Sequence, residues 1–196
     1  MLRRMRRHIV WLVCCLVATL AHGQESVRVV IDTELGEIEV EVDAAKAPGT
    51  VANFLRYVDG KFYDGGQFHR TVTMQNQPNN DVKIEVIQAS INEAKQEDQF
   101  DAIPLERTTK TGLLHEDGVI SMARGKPDSA TSSFFFCIGA QPELDFGGAR
   151  NPDGQGFAAF GRITRGMDVV KKIQMAPHEE QRLTPPIVIR SVRRAP

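Results

Sequence analysis

The sequence encodes a mainly β domain covered by helices, on three grounds. Residues 26–32 and 37–42 are two short runs joined by Thr33-Glu34-Leu35-Gly36, the second alternating glutamate with Ile38, Val40 and Val42, the two-residue period and turn of a hairpin. Residues 118–139 read as strand, loop, strand: Val119, Ser121 and Ala123 alternate with Ile120, Met122 and Arg124, turn residues fill 125–133, and an aromatic run from Phe134 to Ile138 follows. Helical periodicity, by contrast, is confined to two short stretches, around Val51–Val58 and Gly166–Ile173.

The chain opens with Arg3, Arg4, Arg6 and Arg7, an apolar run from Ile9 to Leu20, and Ala21-His22-Gly23. This is the pattern of a secretory signal peptide over residues 1–23, with cleavage expected before Gln24. The apolar run is well short of the roughly 20 residues a membrane span needs, so no stable membrane insertion is expected after cleavage, and the destination is periplasmic or secreted. An uncleaved anchor is the alternative.

Residues 24–196 then form one expected domain. Without the leader's four arginines, 20 basic residues stand against 25 acidic ones, a net charge near −5. Nothing concentrates the positive charge that phosphate binding requires, so no nucleic-acid partner is expected. Of three cysteines only Cys137 remains, which excludes an internal disulfide and leaves the fold to its hydrophobic core. Following three phenylalanines, Cys137 reads as a buried small hydrophobe and not as a nucleophile.

In order, Ile38, Val40 and Val42 form the inner face of the second strand, with Glu37, Glu39 and Glu41 facing water. Ala47-Pro48-Gly49-Thr50 opens a helix whose stripe is Val51, Phe54, Leu55 and Val58, with Thr50 as its expected cap and Gly60 as its end. Phe68 to Val72 is a strand carrying His69 and Arg70. Residues 91–117 are a polar connection in which His115 is expected at the surface. Gly154-Gln155-Gly156-Phe157 superficially matches a dinucleotide loop, but Phe160-Gly161-Arg162-Ile163 reads as strand where that motif needs a helix. Gly166 to Ile173 is a helix with Met167, Val170 and Ile173 inward, and Ile187 to Val192 is the closing strand.

Several ordered motifs together are more specific than any one of them. Phe62-Tyr63-Asp64-Gly65, Phe68-His69-Arg70, Gln88 after an apolar pair, Gly118 to Arg124 and Ser129 to Phe136 make the sequence resemble the cyclophilin-type peptidyl-prolyl isomerases, and Leu144-Asp145 and Phe157 to Gly161 extend the likeness over nearly all of residues 27–194. The resemblance implies a closed eight-stranded antiparallel barrel capped by two α-helices. It implies proline-containing peptides or unfolded protein clients as partners and Arg70 as the catalytic residue; a monomer is expected. It places Phe135 and Leu144 around the proline ring, Phe157 at the rim and Val86 at an apolar position of the groove. Gln88 falls to the substrate carbonyl or to orienting Arg70, and the main chain at Ala123 and Arg124 to the residues before proline. His69 beside Arg70 is counted among the substrate-binding residues and is expected to be a satisfied structural histidine with no proton-transfer role.

The chain departs from the family pattern in two places. Residues 74–83 are inserted as a polar loop, after which Glu85 stands at a common phenylalanine position and Ala89-Ser90 replaces a glycine pair; Ser133 stands where glutamine is common. These departures favour the alternative of a catalytically weak peptide-binding or chaperone module.

Rotation about an Xaa-Pro amide breaks no bond, so the implied chemistry needs no nucleophile, metal or cofactor, only a site that favours the twisted amide. A serine hydrolase is disfavoured by the lack of a Gly-x-Ser-x-Gly elbow, and a zinc enzyme by the spacing of His69, His115 and His178.

Overall fold

The computed structural model describes residues 26–195, so the expected signal peptide at 1–23 lies outside the described residues. In chain order the elements are β1 (Val27–Thr33), β2 (Gly36–Val42), α1 (Pro48–Asp59), β3 (Gln67–Val72), β4 (Val86–Ser90), the single turn α2 (Thr108–Thr111), β5 (Val119–Met122), β6 (Phe134–Cys137), β7 (Ala158–Arg165), α3 (Met167–Gln174), β8 (His178–Glu179) and β9 (Arg182–Arg194). The sheet runs β1-β2-β7-β5-β6-β4-β3-β9, and β9 pairs again with β1 to close an eight-stranded ring. Every pairing is antiparallel. The two-residue β8 stands outside the ring as a hairpin on β9. Among the described residues, closure leaves no long strand edge open to pairing with another chain.

The hairpin forms as its alternation requires. Thr33 pairs with Gly36 across the two-residue tip, and Ile38, Val40 and Val42 are buried. Gly36 has φ +131, and a Cβ there would lie 2.9 Å from a Val169 methyl, so the turn needs glycine for both backbone and space. Outside the barrel, Glu39 meets Arg28 and Arg165 at 3.7 and 3.4 Å.

Inside, Phe54 of α1 reaches between Tyr63, Phe134 and Phe160, while Val169, Val170 and Ile173 of α3 join the same core. Met167, expected inward, packs against this core while partly exposed. The two long helices thus cover the barrel as the resemblance implies, and α2 adds one turn within the 91–117 connection. Residues 158–165 are strand, in agreement with the rejection of a dinucleotide loop.

The start of α1 differs from the expectation. Thr50 does not cap the helix, which begins at Pro48 with Ala47 before it and no cap from a neighbouring side chain. The carboxylate of Glu106 does the capping instead: it accepts from Gly49 N at 3.1 Å, Thr50 N at 2.7 Å and Thr50 Oγ1 at 2.6 Å. A carboxylate at a helix N-terminus satisfies orphan donors and complements the dipole. Here it also ties the long connection to the barrel. Glu106→Ala is expected to lower stability by about 1–2 kcal/mol, read as a shifted denaturant midpoint at constant slope. An unmoved midpoint would mean that water replaces the cap without loss.

Candidate active site

The pleat of β6 divides its aromatics between two environments. Phe134 and Phe136 point into the barrel core, whereas Phe135 and Cys137 point outward into a second apolar cluster with Val72, Ile84, Val86, Val119, Leu144 and Ala159. This outer cluster floors a cleft of ≈ 340 Å³ whose wall includes Ile84, Val86, Phe135, Leu144 and Phe157, with Arg70, Gln88, Ala123 and Arg124 around it. Seven of the residues the sequence singled out, together with Arg70, therefore converge on one pocket. Cys137 is buried beneath it, and burial first, with Asp145 and Asp117 second, pushes its thiol pKa far up, so it is inert.

Phe135 is held from two sides. Phe157 meets it edge-on at 5.4 Å and His115 stacks against it at 6.0 Å. His115 is thus not a surface residue: it is 2% exposed, its Nδ1 lies 2.7 Å from Asp145 Oδ1 and its Nε2 2.9 Å from Ser121 Oγ. The order Asp, His, Ser imitates a hydrolytic triad, but Ser121 is 0% exposed on β5 and has no path to a substrate. The array serves as a rigid backing for Phe135. Contacts spanning 30 residues in sequence left no local signal of it.

Arg70 stands opposite Gln88 in the β3–β4 ladder. Its Nη1 donates to Gln88 Oε1 at 3.0 Å, and its Nε and Nη2 both donate to Gln181 Oε1, at 3.0 and 2.6 Å. Gln181, absent from the sequence-based site, lies in the turn between β8 and β9, and its own Nε2 donates to Asn76 O at 3.1 Å. The inserted loop therefore reaches the guanidinium through one side chain. The loop is itself organised by Gln77, whose Nε2 donates to Thr73 O and Ile84 O at 2.7 and 2.8 Å. Burial lowers the pKa of Arg70, but a guanidinium remains charged in proteins. Its partners are neutral amide oxygens, so the charge is oriented without being cancelled.

The other expected residues fall as follows. Ala123 N donates to Ser133 O at 2.9 Å, so that its N–H is engaged and its carbonyl is the group left for a ligand. The Arg124 side chain is engaged by Asp153, at 2.7 and 2.9 Å, and by Gly156 O, at 2.8 Å. Asp153 is held down to about 2, chiefly by that Arg124 hydrogen bond. Glu85 does not enter the pocket; it accepts from Gln174 Nε2 of α3 at 3.2 Å, and Ile84 supplies the apolar wall instead.

His69 and Ser133 line a separate, larger cleft of ≈ 770 Å³ on the other side of Arg70. The Nδ1 of His69 is enclosed without a hydrogen-bond partner, contrary to the expected satisfied histidine. Burial lowers its pKa, opposed by the Gln67 main chain, with the charge of Arg70 adding to the lowering. A histidine depressed in the folded state is protonated first in the unfolded chain, so its contribution to stability is full above its ordinary pKa and is lost as pH falls through the folded value. The denaturant midpoint should therefore drop as pH falls below about 6.5, the ordinary histidine value, and drop less in His69→Asn. Equal pH slopes for both proteins would remove His69 from the account.

A cyclophilin type peptidyl-prolyl cis-trans isomerase/CLD family model matches residues 28–194. The chain belongs to this family. A peptidyl-prolyl cis-trans isomerase of Acinetobacter baylyi is 37% identical over 158 residues, covering 80% of this chain and 77% of the relative. Peptidyl-prolyl cis-trans isomerase A of Dickeya dadantii is 33% identical, covering 86% and 84%. Among solved structures, a cyclophilin of Cryptosporidium parvum superposes with TM-score 0.70 over 88% of this chain and 99% of its own, at 18% identity. A structure of that cyclophilin in the presence of the dipeptide Ala-Pro superposes with TM-score 0.68. This chain is thus a cyclophilin-type isomerase with the family's barrel.

Proposed function

We propose that this cyclophilin accelerates cis–trans exchange of Xaa-Pro bonds by stabilising the twisted amide through Arg70. Planar amide resonance makes the uncatalysed barrier about 18–20 kcal/mol, and in the twisted state the proline nitrogen regains a lone pair. A hydrogen bond from Arg70 to that nitrogen exists only there, which is the requirement for raising kcat. The carrying observation is the guanidinium fixed at the pocket mouth by two neutral glutamines. Phe135, Leu144 and Val86 take the proline ring, with Phe157 at its rim. Gln88, its Oε1 on Arg70, turns its amide N–H to the substrate carbonyl, while the Ala123 carbonyl and Arg124 main chain hold the preceding residues. No step moves a proton or needs a metal.

The leader pattern at residues 1–23 supports export to a periplasmic or secreted destination with unfolded chains as clients, and the net charge near −5 of the remainder speaks against nucleic acid. A monomer fits a barrel without open edges. The direct test is NMR exchange of an Ala-Pro-Phe-type peptide with the chain starting at Gln24. Cis and trans lines that broaden in proportion to enzyme support the reading. Peptide-induced shifts without faster exchange would make the protein a binding module.

A further inference from the structure

Arg150 and Asn151 sit side by side on the wall of the proline pocket, in the loop between Leu144 and Phe157. Neither is accounted for by the isomerase chemistry. The hydrogen bonds of the Arg150 guanidinium both come from one nitrogen, Nη1, to Gln77 Oε1 at 2.9 Å and Val82 O at 2.6 Å. Both acceptors are neutral and belong to the inserted loop, so this arginine joins the two loops without losing its charge. Among the described residues it makes no ion pair; burial lowers its pKa first, and the charge of Arg70 second. The adjacent Asn151 Nδ2 is enclosed and has no hydrogen-bond partner.

The contrast within the same loop is informative. Arg124, with its side chain 1% exposed, is neutralised in a two-pronged pair with Asp153. The loop carries a carboxylate for one arginine and none for the other. A half-buried cation on the same pocket wall as a second cation is unfavourable, and an enclosed amide donor without an acceptor adds to the cost. A planar guanidinium fork matches an oxyanion, carboxylate or phosphate, through charge-assisted hydrogen bonds, and the carboxylate is the one an unmodified peptide carries.

We propose that Arg150 forms an anion subsite at the mouth of the proline pocket, through which this isomerase selects peptides bearing a carboxylate beside the proline. The carboxylate comes from an Asp or Glu side chain or from a chain terminus. The proposal rests on the isomerase reading, because the subsite borders the pocket where the proline is turned.

The experiment compares catalysed exchange for peptide pairs that differ only as Glu against Gln, placed before or after the proline, and for free against amidated carboxyl termini. The expected result is a kcat/KM ratio of about tenfold in favour of the acid at one of these positions at low ionic strength, shrinking as salt is added. The position showing the ratio identifies the source as side chain or terminus. Arg150→Gln keeps an amide N–H for Gln77 and Val82 but removes the charge, and should bring the ratio to near one; Arg150→Lys should keep most of it. A wild-type ratio near one at every position overturns the proposal, as does a ratio that survives in folded Arg150→Gln. If that variant does not fold, the salt series decides, since a ratio indifferent to ionic strength also overturns it. Shift titrations with the same peptides read the subsite independently: preferential binding of the acid without faster exchange would refute the isomerase reading and leave the subsite standing.

Discussion

Arg70→Ala is expected to reduce kcat/KM for an Xaa-Pro peptide by about 10²–10³-fold, or about 3–4 kcal/mol of transition-state stabilisation, the range for removing one preorganised donor. The loss should fall on kcat, since the planar ground-state nitrogen offers no lone pair and peptide affinity comes from the apolar pocket. Arg70→Lys is the sharper comparison. An ammonium keeps the charge but not the fork that Gln88 and Gln181 hold with three N–H groups, so it should recover only a small part of the lost rate. Exchange rates measured by NMR, with melting curves for each variant, separate the contributions. A folded Arg70→Ala protein within a few-fold of wild type would assign catalysis to the pocket's shape and not to the guanidinium.

Phe54→Ala should have the largest effect on stability, about 3–5 kcal/mol. Phe54 is fully buried, with ring centroids 5.7, 5.7 and 5.2 Å from Tyr63, Phe134 and Phe160, and is the side chain through which α1 grips the barrel. Removing it opens a cavity among rings that ordered neighbours cannot refill. Against a typical total of about 5–15 kcal/mol, that is a third or more of the stability of many domains. Denaturant unfolding with the slope held constant measures it, and Leu35→Ala at the exposed hairpin tip is the control, expected within about 0.5 kcal/mol of wild type. A loss below about 1 kcal/mol at Phe54 would mean that the core repacks around the gap.

The residue pattern alone already determined the elements built from local periodicity and the residues that face a common side. Alternation in 36–42 fixes a buried face, whereas Phe135 was placed at the pocket by the family resemblance, and the pleat of β6 then sets it on the opposite face from Phe134 and Phe136. Arg70, Gln88, Leu144 and Phe157 were legible through ordered motifs and converge as expected. What the motifs left open is how these groups are held. Glu106 capping α1 from 56 residues away, His115 backing Phe135 between Asp145 and Ser121, Gln181 seizing Arg70 across 111 residues, and Arg150 joining two loops all depend on the path of the chain in space. Periodicity reports which face a side chain takes, because that follows from backbone geometry within a few residues. A hydrogen bond between distant residues has no such period. Its partner is chosen by barrel closure, and only the folded arrangement shows which glutamine, histidine or arginine meets the pocket.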